Sequence, residues 1–352
     1  MPMATKRRTA ERRFTARPYH WEELDDAALL RLRFRDLRVR VADSIVRPEV
    51  QRLYAELDRR GFRFRPHVWL STEWFSPDGV PGIAVPFFVA HPRLRRLERR
   101  MMGEVEGGSS QGRLRILRHE AGHALDTAYG LRRRADWREV FGRASKPYPR
   151  DYSVRPDSRR YVLHLGHWYA QSHPTEDFAE TFAVWLQPRA RWQREYAGWP
   201  ALRKLQYVDM LMREIAGRAP RNCDRSVIAP LSQNSRSLAE HYRRKAATYE
   251  RVERRYDEWL EAVFAPRAVR PHAVPAGRFI REIKQQLRRS LVRGTGANPY
   301  LADHAIETIR QRARQLDLVL RGPPRENTRR VVRLHERVII DVVRRNRETY
   351  LL

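Results

Sequence analysis

The stretch RLRILRHEAGHALDTAYG, residues 113–130, decides how this chain is read. Ile116, Leu117 and Leu125 are apolar at helical spacing, Ala121 and Gly122 are small, and Gly130 closes the run as a helix cap. Within that helix His119 and His123 stand four residues apart, with Glu120 beside the first. Positions four apart lie about 40° apart around a helix axis, so both imidazoles reach one point. The plain alternative is a pair of surface histidines next to a helix-favouring glutamate. The apolar neighbours argue against it, because a core-facing helix leaves two unpaired histidines badly placed. The pattern is HExxH, in which the histidines bind zinc and the glutamate acts as general base.

A catalytic zinc takes three protein ligands and keeps one position open. Cys223 is the single cysteine, and a short-spaced third histidine is absent: Asp126 and Tyr129 stand where HExxHxxGxxH needs glycine and histidine. The third ligand must be more distant. HPTEDFAETF, residues 173–182, offers it, since Glu176 and Glu180 are again four apart on a helix whose other side carries Phe178, Phe182 and Trp185. Two stacked carboxylates are costly unless something positive faces them. We expect one zinc ion bound by His119, His123 and Glu176, with Glu180 holding a ligand histidine by its other ring nitrogen. The alternative for both acids is complementing the helix dipole from its first turns.

HExxH followed by an ExFAExF helix resembles the glutamate-type zincins, in particular the lethal-factor-like and Mlc-titration-factor-like metallopeptidases. The resemblance is strongest to a bacterial group of zinc-binding metallopeptidases, carried by HVWLSTEWFSPDGVPGIAVPFFVAHPRL (67–94), ILRHEAGHALD (116–126) and YAQSHPTEDFAETFAVWL (169–186), and it spans roughly residues 20–215. It implies that Tyr169, seven residues before Glu176, faces the metal and donates to a developing oxyanion. The same loop also holds His164, His167 and His173, any of which offers an alternative for that role or for ligation, and a buried aromatic is the plain reading of Tyr169.

Around this centre the chain divides by texture. Residues 1–19 read as a basic flexible arm, 20–217 as a zincin-like metallopeptidase domain, 218–237 as a linker and 238–352 as a helical C-terminal domain. The spacing predicts helices over about 21–37 and 47–61, then a small sheet in the aromatic and β-branched stretch 62–90. Pro86 removes a ladder donor, so its strand is expected at an edge or bulge, lining the cleft and open to an extended peptide. The expected fold class is α+β, predominantly helical, with the small sheet packed beside the active-site helix.

The formal charge of +29 invites a nucleic-acid partner. Only five basic residues are lysine, however, and the 66 arginines are spread over nearly every segment, as in a GC-rich genome. Acidic partners in general are the broader expectation, and specific nucleic-acid binding is not favoured. The longest apolar run, GIAVPFFVA, is about half of what a membrane span needs, and with one cysteine and no apolar leader the chain is expected in the cytoplasm. Nothing in the sequence fixes an oligomeric state. The function expected is zinc-dependent peptide-bond hydrolysis of a peptide or protein substrate, with metal-activated water and Glu120 as base. The alternatives are a zinc-dependent amidase or other hydrolase, and a basic nucleic-acid-binding or scaffold protein with a vestigial metal site.

Overall fold

The computed structural model describes residues 19–102, 105–148, 151–153, 155, 158–166, 168–249, 256–295, 299–345 and 349–351. The basic arm, but for Tyr19, and His167 lie outside the described residues. The helix expected over 21–37 is broken. Helix α1 spans Asp26–Arg31, and Phe34–Leu37 forms a separate 3-10 turn. The reason is tertiary: Phe34 and Arg35 donate their backbone N–H groups to Arg236 and Asn234 carbonyls, each at 3.1 Å, instead of continuing a helix. Helix α2 follows at Arg47–Arg59.

Strands β1 (His67–Ser71) and β2 (Gly82–Pro86) pair in parallel, from His67 opposite Gly82 to Ser71 opposite Pro86. On its other side β2 meets Phe75, which exchanges two backbone hydrogen bonds with Ala84, at 2.8 and 3.4 Å. In a two-stranded sheet β2 is an edge strand, as expected from Pro86, and at Ala84 its open side is met by Phe75. Pro86 is the last residue of the strand, where the ladder ends, and the chain's own turn returns Phe75 to the side on which a peptide would have added.

Helices α3 (Pro92–Met102), α4 (Ser110–Tyr129) and α5 (Ala135–Phe141) come next, then strand β3 (Asp151–Ser153) and helices α6 (Pro174–Leu186), α7 (Trp192–Glu195) and α8 (Ala201–Ile215). Ser109 caps α4 by accepting the Gly112 N–H at 3.0 Å, and Gly130 ends it in the left-handed region at φ 66°. Pro174 opens α6, and His173 caps it through Nδ1, which accepts the Thr175 N–H at 3.2 Å. The two helices cross closely: a Cβ at Gly122 would lie 2.9 Å from the Cα of Ala179. On its other flank α4 is fastened to α2 by buried ion pairs. Arg118 forks onto Glu56 with two hydrogen bonds of 2.7 Å, and Arg113 reaches Glu49 at 2.6 Å.

The rest of the described chain is α9 (Leu238–Tyr249), α10 (Asp257–Val263), β4 (Phe264–Pro266), α11 (Ala276–Glu282), α12 (Lys284–Thr295), α13 (Pro299–Gln315), β5 (Leu318–Leu320), α14 (Pro324–Arg345) and β6 (Thr349–Leu351). Helices dominate, and among the described residues the strands form two-stranded pairs only, β4 with β5 and β3 with β6 both antiparallel. The protein is thus α+β and predominantly helical.

Two apolar cores hold it. The first contains α2, α4, α6 and α8 and also takes Leu238 and Tyr242 of α9. The second gathers Leu260, Phe264, Ile280, Leu287, Ile306 and Leu334 from the later helices, and it receives Trp168 from the loop before α6, with Leu163 and Tyr169 packed against it. Within the stretch 218–237, residues 226–229 lie along β1, where His67 Nε2 meets the Ser226 carbonyl (2.8 Å), and Trp69 and Ser71 donate to those of Ile228 and Ala229 (2.9 and 2.7 Å). No helix among the described residues is long and apolar enough to cross a membrane.

Candidate metal centre

The crossing of α4 and α6 brings the sequence-predicted residues together. Nε2 of His119 and Nε2 of His123 lie 3.2 Å apart, and Oε2 of Glu176 is 3.0 Å from each. All three side chains are buried. At the far side of the His119 ring, Nδ1 is 2.8 Å from Oε1 of Glu180. A carboxylate only accepts, so Nδ1 donates to it, and a cation held at Nε2 would find the ring in the tautomer whose Nε2 lone pair faces His123 and Glu176. The second oxygen of Glu180 accepts the Leu165 N–H at 2.8 Å, which fixes the carboxylate and the loop together.

The donor set fits zinc. Tetrahedral ligands at about 2.0–2.1 Å from the ion sit roughly 3.3 Å from one another, close to the sides of this triangle. Two imidazole nitrogens and a carboxylate oxygen pointing at one spot repel each other unless a cation occupies it, and buried charge of this kind is tolerated where a metal or proton completes it.

Glu120 is buried next to this triangle. Burial pushes its carboxyl pKa up, while His119 and His123 pull it back. For Glu176 and Glu180 burial acts in the same upward direction but is outweighed. Interactions with His123 and His119 hold Glu176 well below the usual carboxylate range, and chiefly the His119 hydrogen bond lowers Glu180. Asp177, the third acid of α6, takes no part. It is tied to Lys204 at 2.6 Å, and burial lifts its pKa to about 7.

The loop residues divide. The Tyr169 ring lies 5.5 Å from that of His119, tilted by 52°. His164 faces away: its Nε2 donates to the Arg115 carbonyl at 3.0 Å, and burial lowers its pKa to about 4. His173 is occupied as the cap of α6, with Nε2 donating to the Lys146 carbonyl at 2.7 Å. Neither turns toward the triangle. One participant escaped the sequence reading. Tyr148, from the loop after α5, donates its hydroxyl to Oε1 of Glu176 at 2.8 Å. No spacing rule ties a loop residue to a ligand 28 positions later, so nothing in the pattern marked it.

Residues 90–198 match a protein family described as "Putative zinc-binding metallo-peptidase". The match makes that stretch similar to this family and covers just under a third of the chain. The matched segment runs from the end of the β2 region through α3, α4, α5 and α6, and so contains every residue of the triangle together with Glu120, Tyr148 and Tyr169. No curated protein and no solved structure matches the chain. The matched segment stops short of α8 and of the whole second core apart from Leu163, Trp168 and Tyr169.

Proposed function

We propose that the protein is a zinc-dependent metallopeptidase that cleaves peptide bonds, with His119, His123 and Glu176 as the ligands of one zinc ion. The observation that carries this is the buried triangle of two imidazole nitrogens and one carboxylate oxygen with sides of 3.0, 3.0 and 3.2 Å. The similarity of the segment holding it to a family described as zinc-binding metallopeptidases supports the same reading.

When bound, zinc supplies Lewis acidity, lowering the pKa of a water and polarising a carbonyl oxygen. The chain's residues do the rest. Glu120 takes a proton from the attacking water and delivers it to the departing amine nitrogen; its burial, which raises the carboxyl pKa, favours that second role. Glu180 keeps His119 in the tautomer whose Nε2 is free to ligate. Tyr169, packed beside His119, is the hydrogen-bond donor for the oxyanion. The substrate is a peptide or protein, and the prevalence of arginine on the chain favours acidic ones.

The test is elemental analysis of the purified protein together with cleavage of denatured protein and peptides. Stoichiometric zinc in the parent, lost from His123→Ala and Glu176→Ala, is the expected result. Glu120→Gln should retain the zinc and lose turnover by at least a hundredfold. A parent free of zinc, or a Glu120→Gln variant as active as the parent, overturns this reading.

A further inference from the structure

We propose that Tyr148 holds Glu176 as a one-oxygen ligand and so keeps a face of the metal centre open for substrate. This rests on the zinc reading above. The two oxygens of Glu176 have different partners. Oε2 faces both imidazole nitrogens at 3.0 Å, and Oε1 accepts the Tyr148 hydroxyl at 2.8 Å. A carboxylate that grips an ion with both oxygens must turn both toward it. With Oε1 engaged by a hydroxyl, that rotation costs a hydrogen bond to a charged group.

Tyr148 is itself anchored. Its ring stacks on His173 with centroids 3.9 Å apart and planes at 20°. His173 is held by the Lys146 carbonyl at 2.7 Å, and its Nδ1 lies 2.7 Å from the Thr175 hydroxyl, which also contacts the Tyr148 hydroxyl. Lys146 and Tyr148 belong to one loop, and His173, Thr175 and Glu176 to the first turn of α6 and its cap. The loop after α5 is therefore latched onto the start of α6 with the tyrosine hydroxyl aimed at the ligand. The residue remains 52% exposed, so Tyr148 forms part of the rim of the site while its hydroxyl acts within it. It is a positioning residue that works through Glu176.

Tyr148→Phe keeps the stacked ring and removes one oxygen, which leaves the fold intact; the metal-free variant should melt at the parent's temperature. Zinc affinity, measured by chelator competition, should fall about tenfold, the lower end of the loss seen when a partner of a ligand is removed. The Co2+-substituted variant should show weaker visible absorption than the Co2+-substituted parent, as the freed carboxylate closes with both oxygens and raises the coordination number. A zinc Kd within twofold of the parent, or a Co2+ spectrum that overlays the parent's, overturns the assignment of Tyr148 alone. A parent that takes up no zinc instead overturns the reading on which it rests.

Discussion

Gly122 lies against Ala179 so closely that a methyl group in place of its hydrogen would come within 2.9 Å of the Ala179 Cα, and within 3.2 Å of the Phe182 ring. The obstacle is backbone, which cannot swing aside. Gly122 is the fourth letter of the HEAGH pentapeptide, and the crossing that it permits is what puts Glu176 within 3.0 Å of two imidazoles carried by another helix.

Gly122→Ala should therefore separate α4 from α6. Alanine is the better helix former by about 1 kcal/mol, so a purely local account predicts a gain in stability. The packing account predicts a net loss of roughly 1–3 kcal/mol from the forced shift and a weakened zinc site. Denaturant melting with chelator titration decides between them, and a variant at least as stable as the parent with unchanged zinc affinity would show that the crossing tolerates the methyl.

Glu180→Ala removes the acceptor that fixes the His119 ring. Zinc affinity should drop 10–100-fold, as is typical when the partner of a ligand histidine is lost, with the loss read by competition against a chelator of known affinity. Unchanged affinity would mean that packing alone orients the ring.

Glu56→Ala strands Arg118 beside His119. Glu56 and Arg118 are both buried and joined by two hydrogen bonds, and breaking such a pair from one side costs about 3–5 kcal/mol because a charge is left without compensation. Equilibrium unfolding in urea measures it. A loss under about 1 kcal/mol would place the pair among the weak ones.

Two histidines outside the candidate metal centre predict a pH dependence of stability. Burial lowers the pKa of His335 to about 4, and burial together with Lys245 and Arg236 lowers that of His241 to about 4, against an ordinary value of 6.5. Both are neutral in the fold until about pH 4, whereas the unfolded chain protonates them below about 6.5. The unfolded state binds more protons in that window, so stability is fully present above it and declines as pH falls through it, by up to roughly 3 kcal/mol per histidine. His335→Leu should lose part of that decline. If the stability of the parent and of this variant fall in parallel between pH 7 and 4, His335 is not a contributor.

Much of the candidate site was legible because the helix has a fixed period. Once 113–130 and 174–186 are read as helices, the four-residue spacings of His119 with His123 and of Glu176 with Glu180 each define one face, and mutual charge compensation joins the two faces. The same logic failed at 21–37, where the apolar spacing is helical yet Phe34 and Arg35 find backbone partners in a segment about 200 residues later. At β2 the reading of Pro86 as an edge residue agrees with the two-stranded sheet, but Pro86 reports only a missing donor and not that Phe75 meets the strand at Ala84.

The sequence by itself determined the chemistry available here: which residues are able to ligate, which one is able to take a proton, and that they belong to helices. Tertiary structure decided how near they come and what holds them. The 2.9 Å limit at Gly122, the latch from Tyr148 to Oε1 of Glu176 and the docking of Trp168 into the second core arise from contacts between segments remote in sequence. A local period encodes direction around one axis, whereas the distance between two axes is set by every side chain packed between them.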